Sequence, residues 1–542
     1  MRILSVKNII LIKIFLSTIT ISLNSFAHKV NSKDRIRIPI FEDVSTFDPH
    51  KTNSLASVII WTNIFSSLLE TDHSGEIKPN LVTHYTESLD KLKYTFYLKK
   101  NLKWSDGRDL TSKDVVFSFL RAMDGSTNNP MLGELLFIKN AKEFHANQVK
   151  KELVGIKQID DYTVEIELNT PSPYFIQRFA SFVYSILPSH TIEKHGKDWT
   201  RLENIVTYGP YLLKQHVIDS KIILEKNFSF WDSSNVHIPQ VEYLVLKNPQ
   251  YQDYLFKKNK IDFLSNIPEN KVEKFIKDPK ANISDIFSVS NLSFNLNKKH
   301  LQNPSLRMAL SCALHLKKPL ILSKYLHGLG KIATNIVPPG LPDYPYQEFL
   351  SQCTLEDTKM NFENAKRELK GELPPLNIVF ISHPALIDFF QIIQDIWKET
   401  LGVKSILTPL SWNSMISTLS EGKHDINIMT PGASLFDPID FLDWYISDEP
   451  RNFLGLKNEE YDMLFQQAMN EFDKGKRFQL LSKLETILLK NYYLIPLFTG
   501  QNLFFVNKNL KMLKNHGNIT TPYTNNKGHL SFNWSDWILT HD

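Results

Sequence analysis

Residue types that could do chemistry are present in this chain, but they are not spaced as a catalytic motif. The 542 residues contain no His-Glu-x-x-His pair for zinc and no Gly-x-Ser-x-Gly turn for a nucleophilic serine. The stretch from Gly328 to Lys331 lacks the spacing of a phosphate-binding loop and the Ser or Thr that should follow the Lys. His383 and His424 are not spaced as metal ligands. The pattern therefore favours binding over catalysis and predicts neither a metal nor a cofactor, although a triad assembled from distant positions would escape this search.

The elements that would position a binding site are clearest around residues 93–120. Polar and apolar side chains largely alternate over Lys93–Leu98, which predicts a half-buried strand. Asp106 and Gly107 then supply a turn, and Thr111 with Asp114 resembles a capping box. Apolar residues at helical spacing follow, so this stretch predicts a strand, a turn and a helix with a structural role.

Strands and helices are interleaved along the whole chain, without internal repeats or low-complexity tracts. The patterns predict strands at 35–40, 163–168, 222–225, 241–246, 376–381 and 494–498, and helices at 385–401, 459–472 and 476–490. This mixture predicts α/β lobes rather than a sandwich or a helical bundle.

Composition describes an ordinary globular protein, long enough for more than one domain. Hydrophobic residues make up 42% and charged residues 22% of the chain. Of its 62 basic residues, Arg2, Lys7 and Lys13 lie in a leader without acidic residues, which leaves 59 basic against 58 acidic side chains. A remainder this close to neutrality gives no field that would attract nucleic acid.

The first 27 residues predict export. They have a basic start, an apolar run interrupted by Lys13, and small residues at Ser25 and Ala27, the positions that a signal peptidase reads. We predict cleavage after Ala27. The alternative is an uncleaved anchor, which is disfavoured because a clean apolar stretch of about 20 residues is not available.

Cys312 and Cys353 are the only cysteines of the sequence. An oxidising compartment would permit a disulfide between them. Cys312, however, lies in an apolar helical pattern, where a free cysteine is simply a small hydrophobic residue. A disulfide and two free thiols both stay open.

Several well-separated motifs together resemble one family. In chain order they are Thr46 to His50, Trp104 to Gly107, Tyr208 to Tyr211, Leu224 to Asn227, Trp231 with Asp232, Phe294 with Asn295, and Arg307 to Leu314. Their order is similar to that in the extracellular solute-binding proteins of peptide ABC importers, the oligopeptide- and dipeptide-binding proteins. The resemblance extends from about residue 40 to the C-terminus.

The resemblance implies an α/β fold of two lobes joined by a hinge, with an additional inserted domain. After the signal peptide (1–27), lobe one would comprise residues 28–65, 190–290 and 505–542. The additional domain would span 66–189, and lobe two would span 291–504. Such proteins close around a ligand by hinge motion, and the closed form docks on a membrane permease.

The resemblance also implies ligand-binding residues on both lobes. Asn53, Ser54 and Leu55 follow the Asp-Pro-His motif in the segment that lines the cleft in relatives, where the backbone would make the contact; an ordinary helix entry is the alternative. Trp412 matches an aromatic residue of the family that could stack on ligand. Its alternative is a core tryptophan at a strand end.

The sharpest departure from the family lies between residues 429 and 442. Relatives that bind a free amino terminus usually carry Gly-Trp, two residues, then an Asp, followed by an Asp-Pro or Glu-Pro pair. Asp437 and Pro438 align with that pair, which places Pro431 at the Trp position and Ser434 at the position of the amine-binding Asp. A hydroxyl offers only a neutral hydrogen bond to an ammonium group. The ligand's amino terminus is therefore expected to be blocked or unread, unless Asp437 or Asp440 takes over this role. The alternative is that Ser434 merely closes a loop.

These observations predict a periplasmic, monomeric substrate-binding component of an ABC importer for peptides or peptide-like solutes. Its partners would be that ligand and the membrane permease, with no nucleic acid and no enzymatic activity. The alternative is a sensor or chaperone that uses the same fold to bind a partner protein. An unrecognised hydrolase is the third hypothesis.

Overall fold

The computed structural model describes residues 34–71, 76–347, 353–371, 373–431, 437–512 and 537–539. The strands of this part of the chain are β1 (Arg35–Ile40), β2 (Leu69–Thr71), β3 (Ile77–Pro79), β4 (Val82–Glu87), β5 (Lys93–Leu98), β6 (Ile156–Asp160), β7 (Thr163–Glu167), β8 (Tyr211–Val217), β9 (Lys221–Lys226), β10 (Gln240–Val245), β11 (Phe263–Leu264), β12 (Asn282–Asp285), β13 (Ser290–Phe294), β14 (Lys331–Ile332), β15 (Leu376–Ile381), β16 (Ser405–Leu410), β17 (Ile426–Met429), β18 (Leu494–Thr499), β19 (Gln501–Val506), β20 (Leu510–Met512) and β21 (Trp537–Leu539).

The helices alternate with these strands. They are α1 (Leu55–Ile64), α2 (Ser112–Met123), α3 (Ala141–His145), α4 (Phe175–Arg178), α5 (Ser189–His195), α6 (Pro249–Lys257), α7 (Val272–Ile276), α8 (Pro304–His315), α9 (Lys318–Tyr325), α10 (Leu355–Glu368), α11 (Pro384–Leu401), α12 (Trp412–Ser420), α13 (Ile439–Leu442), α14 (Glu459–Asn470) and α15 (Lys474–Lys490).

Three larger sheets organise the protein. Lobe one is built on the sheet β1-β10-β9-β8, in which only the β1–β10 pair is parallel. The additional domain is built on the antiparallel sheet β4-β5-β7-β6. Lobe two is built on the mixed sheet β14-β18-β13-β17-β15-β16. The predicted α/β architecture is therefore confirmed, whereas the limits proposed at residues 66, 190, 291 and 505 stay predictions.

The strands and helices that the sequence patterns predicted are present to within a few residues of their predicted bounds. The predicted strands at 35–40 and 376–381 have the predicted bounds, and the predicted helix at 385–401 begins one residue earlier. The predicted leader lies outside the described residues. Within the described part, no helix is both long enough and apolar enough to cross a membrane.

The Trp-Ser-Asp-Gly turn has a structural role. Trp104 is fully buried, and its indole N–H donates to Asp114 Oδ2 at 3.2 Å. Asp114 also completes the capping box with Thr111, and its other carboxylate oxygen accepts from the Ser189 hydroxyl at 2.6 Å. Gly107 permits the turn because its φ is +87°. The motif thus fixes the start of α2 against the start of α5.

A buried ion pair joins lobe one to the additional domain. The Asp48 carboxylate accepts from the Arg121 guanidinium at 2.5 and 3.0 Å and from the Trp199 indole at 3.3 Å. His50 lies beside the same guanidinium, with its Nδ1 2.9 Å from Arg121 Nη1. Burial, followed by the charge of Arg121, lowers the pKa of His50 to about 3, so this histidine is neutral at physiological pH.

A glycine allows a second close approach in the same region. A Cβ atom at Gly209 would lie 2.6 Å from the carbonyl carbon of Ile64 and 2.8 Å from the carbonyl oxygen of Asn63. Any side chain here would push the segment Tyr208 to Tyr211 away from the end of α1. This contact gives a packing reason for that motif.

The two cysteines form a disulfide. Cys312 is fully buried in α8, and Cys353 directly precedes the cap of α10; their Cα atoms are 5.4 Å apart. Of the two possibilities that the sequence left open, the structure therefore supports pairing. Because α8 and α10 both belong to lobe two, the disulfide does not cross the hinge.

Glu485 is a buried carboxyl group that holds a loop of lobe two. Its Oε1 accepts from the backbone N–H groups of Ile336 and Val337 at 2.7 and 2.9 Å, and its Oε2 accepts from the Tyr344 hydroxyl at 2.9 Å. Burial raises the pKa of Glu485 to about 7, although these hydrogen bonds oppose the shift. The carboxyl group therefore titrates near neutral pH in the folded protein.

Replacing this glutamate with glutamine, Glu485→Gln, should remove part of the pH dependence of the free energy of unfolding. Since the folded pKa is above the ordinary value, the folded state binds the proton more tightly than the unfolded state. Stability should then fall by about 3 kcal/mol as pH rises from about 4.5 to 7, and this component should be absent from Glu485→Gln. Urea denaturation across this pH range measures it. The exposed-site control Glu460→Gln should keep the wild-type slope, and an unchanged slope in Glu485→Gln would contradict the assignment.

Candidate ligand-binding cleft

Two short chain segments connect lobe one to lobe two. The first runs from the end of β12 at Asp285 to the start of β13 at Ser290, and the second is Gly500 between β18 and β19. They lie side by side, because the Ile286 N–H donates to the Gly500 carbonyl at 3.0 Å. Two adjacent crossings of this kind form a hinge.

The hinge and the carboxyl ends of three strands share one edge of the lobe two sheet. β15 is parallel to both β16 and β17, so all three end at the same edge. β13 is antiparallel to β17 and therefore begins there, where the hydroxyls of Ser290 and Thr430 are 2.9 Å apart. Ligands of α/β sheets bind outside the carboxyl ends of parallel strands. This edge, which the hinge places next to lobe one, is the lobe two side of the candidate cleft.

Trp412 lies at this edge with its side chain exposed. It is the first residue of α12, directly after β16, and its side chain is 55% exposed. The Ser411 side chain caps the helix by accepting from the Ser414 N–H. The interpretation of Trp412 as a core residue is therefore wrong. Its predicted contact with ligand stays a prediction.

On lobe one, Asn53, Ser54 and Leu55 form the entry to α1. The Ser54 side chain caps this helix by accepting from the Ser57 N–H at 3.3 Å, and Leu55 is 52% exposed. The segment follows the carboxyl end of β1, one of the two parallel strands of its sheet. The structure thus confirms the helix entry, while the predicted backbone contact with ligand stays a prediction.

Asp437 has both carboxylate oxygens engaged. They accept from the Arg477 guanidinium at 2.6 and 2.8 Å, and Oδ1 also accepts from the Ile439 N–H at 3.0 Å. Both side chains are at most 5% exposed. This geometry favours a structural role for Asp437, and its predicted ligand contact remains untested. Ser434, the other predicted residue of this loop, lies outside the described residues.

A cation–aromatic stack links this ion pair to the additional domain, and the sequence patterns did not indicate it. The guanidinium groups of Arg178 and Arg477 both lie over the Tyr174 ring, 4.9 and 5.4 Å from its centroid. Arg178 also forms an ion pair with Glu134. The additional domain therefore contacts lobe two beside the partner of Asp437, which is the first described residue after Ser434. The only local signal is the pair of basic residues, which gives no indication of partners so distant in sequence.

Buried amides near the same edge were also missed. Asn427 is 1% exposed and Asn291 is fully buried, and both lie in central strands of the lobe two sheet. Among the described residues, neither side-chain amide atom of Asn427 has a hydrogen-bond partner. Such groups are usually satisfied by bound water. The single polar residue of the otherwise apolar strand Ile426–Met429, Asn427 itself, was the available signal. Within the described ranges, no group of three or more His, Cys, Asp or Glu side chains is placed so that it could hold a metal ion.

The chain matches a known protein family over most of its length. The matching family model is that of the bacterial extracellular solute-binding proteins, family 5 Middle, and it covers residues 76–453. This chain belongs to family 5.

Relatives and solved structures of this family 5 protein agree with that assignment. The periplasmic oligopeptide-binding protein OppA of Salmonella typhimurium is 27% identical, over 86% of each chain. The Escherichia coli protein YgiS, named as a probable deoxycholate-binding periplasmic protein, is 29% identical over 84% of this chain and 86% of its own. The unliganded open form of the murein tripeptide-binding protein MppA has a TM-score of 0.79 at 23% identity, over 94% of this chain and 98% of its own. The last comparison establishes the two-lobed fold.

Proposed function

We propose that this family 5 protein binds a peptide or peptide-like solute between its lobes and delivers it to the membrane permease of an ABC importer. The ligand enters the open cleft, and closure of the hinge buries it. Export removes the leader after Ala27, and the mature protein acts as a monomer in the periplasm.

The arrangement of lobe two is the observation that carries the proposal. Its parallel strands end at the edge where both hinge crossings lie, and Trp412 stands exposed at that edge. An indole provides a rigid apolar face and one hydrogen-bond donor, which suits contact with a peptide regardless of its side chains. The extended segment before α1 faces solvent at Asn53 and Leu55 and offers its backbone for strand-like pairing.

The residue at position 434, a serine, narrows the class of ligand that we propose. Without a carboxylate at this position, the cleft has no charged partner there for a ligand ammonium group. An amino-acetylated peptide should then bind at least as tightly as the same peptide with a free amino terminus. Deoxycholate, the ligand in the name of one relative, is the non-peptide competitor to include.

Replacing Trp412 with alanine should weaken ligand binding about tenfold, because a stacked indole contributes about 1–1.5 kcal/mol. Native mass spectrometry of protein purified without refolding identifies a retained ligand. Calorimetric titration then compares that ligand, free and acetylated synthetic tri- to pentapeptides, and deoxycholate on both proteins.

The matched control is Met463→Ala, which removes an equally exposed apolar side chain (59% exposed) from α14 of the same lobe. It should leave the dissociation constant unchanged. Tight binding of deoxycholate without binding of any peptide would contradict the peptide proposal. Retention of a partner protein in place of a small ligand would support the sensor or chaperone alternative.

A further inference from the structure

A cavity of about 570 Å³ lies where lobe one meets the additional domain. Its walls come from the segment around Asp48, from α2, and from the chain between Ile192 and Thr200. None of its lining residues belongs to lobe two, and none is among the predicted ligand-binding residues. Because the Asp48–Arg121 ion pair ties the two walls together, movement at the hinge would not open or close it.

Three lysines give the lining of the cavity positive charge. They are Lys51, Lys151 and Lys197, and within the described ranges none of them forms an ion pair. Lys51 instead donates to the Thr127 carbonyl at 2.5 Å, which leaves its charge uncompensated.

The other ionisable groups of the wall do not cancel this charge. The Asp48 carboxylate is neutralised by Arg121, and the buried imidazole of His50 behind it carries no charge at physiological pH. Asp124 is the one remaining acid of the lining, and it accepts from the Ser126 N–H at 2.7 Å as the cap of a short helical turn. The lining therefore keeps a formal charge of about +2.

The lining also contains apolar side chains. They are Phe117, Leu120, Phe144 and Ile192, and the protein itself buries each of them only in part. Partly exposed aromatic and branched side chains that line a cavity gain free energy when an apolar group covers them. Hydroxyl groups of Thr46 and Thr200 add neutral hydrogen-bonding groups to the lining.

We propose that this cavity binds a small amphipathic organic anion, a carboxylate or sulfonate joined to an aromatic or branched apolar body. The acidic group pairs with Lys151 and Lys197, and the apolar body lies against Phe117 and Phe144. The site is additional to the proposed peptide cleft, so the anion and the imported solute bind at the same time. Both lysines are exposed and flexible, which limits the affinity to the micromolar range or weaker.

The test uses 8-anilinonaphthalene-1-sulfonate, an aromatic sulfonate whose fluorescence rises on binding, with the full exported protein. Its neutral analogue N-phenyl-1-naphthylamine reports apolar contact alone. Two double variants are compared: Lys151→Gln with Lys197→Gln, which line the cavity, and Lys150→Gln with Lys194→Gln, which do not. Both pairs remove the same charge from neighbouring sequence positions, so they change the overall field of the protein equally.

The cavity pair should raise the dissociation constant of the sulfonate at least fivefold, while the control pair changes it less than twofold. Binding of the neutral analogue should respond to neither pair. Equal effects of the two pairs, no effect of either, or no sulfonate binding to the wild-type protein would overturn the proposal. Since this titration requires no peptide, its failure leaves the proposed transport function untouched, and the reverse also holds.

Discussion

Asp437→Ala is expected to destabilise the protein by about 3–5 kcal/mol, because it leaves a buried guanidinium group without its carboxylate. The Arg477 side chain is 5% exposed and makes two short hydrogen bonds to Asp437. The substitution also removes the acceptor of the Ile439 N–H at the start of α13. Urea denaturation of the protein, followed by tryptophan fluorescence, measures this loss in the free energy of unfolding.

An exposed ion pair on the same helix provides the control for Asp437→Ala. Lys474 lies 3.2 Å from Asp343, and both side chains are more than half exposed. Lys474→Ala, which breaks this pair from the helical side, should therefore cost less than about 1 kcal/mol. Adding Arg477→Met to Asp437→Ala should restore much of the stability, since an apolar pair avoids the uncompensated charge. A stable Asp437→Ala protein that loses ligand binding would show instead that Asp437 serves the cleft directly.

Removal of the disulfide is the second change that we expect to lower the stability of the protein strongly. The bond closes a loop with a sequence separation of 41 residues between Cys312 and Cys353. In the chain-entropy model such a loop contributes about 4 kcal/mol, because the link restricts the unfolded chain. The double variant Cys312→Ala with Cys353→Ala should lose stability of this order, measured by urea denaturation under oxidising conditions.

Reductant distinguishes the covalent link from simple packing of the sulfur atoms. Dithiothreitol should lower the denaturation midpoint of the wild-type protein and leave that of the double variant unchanged. A single Cys312→Ala variant tests the packing contribution of the fully buried position in reductant. A wild-type midpoint that is insensitive to reductant would contradict the predicted contribution.

Local sequence signals predicted the elements well, because they report interactions between near neighbours. Thr111 and Asp114 are three residues apart, and their capping box is present as expected. The strand Lys93–Leu98 has the predicted bounds, since its alternating side chains face the core and solvent in turn. The family motifs added what periodicity does not contain, namely the two-lobed fold.

The candidate site was predicted less completely, because its contacts join residues far apart in the chain. Arg477 meets Asp437 across 40 positions and stacks on Tyr174 from a different domain. No local pattern encodes such a contact. Trp412 shows the same limit, since an apolar side chain at a strand end is compatible with both core and surface, and only the packing of α12 decides.

The ion pair between Asp48 and Arg121 reduces the number of bodies that must move when ligand enters. Lobe one and the additional domain share this buried contact, and His190 of lobe one also lies 2.9 Å from Asp106 of the additional domain, so we expect them to turn together as one unit. In the part of the chain that the structure describes, two short backbone segments, near Ile286 and Gly500, connect this unit to lobe two. Closure therefore loses the conformational entropy of one hinge rather than of two independent joints. A ligand then needs correspondingly less binding free energy to hold the closed state.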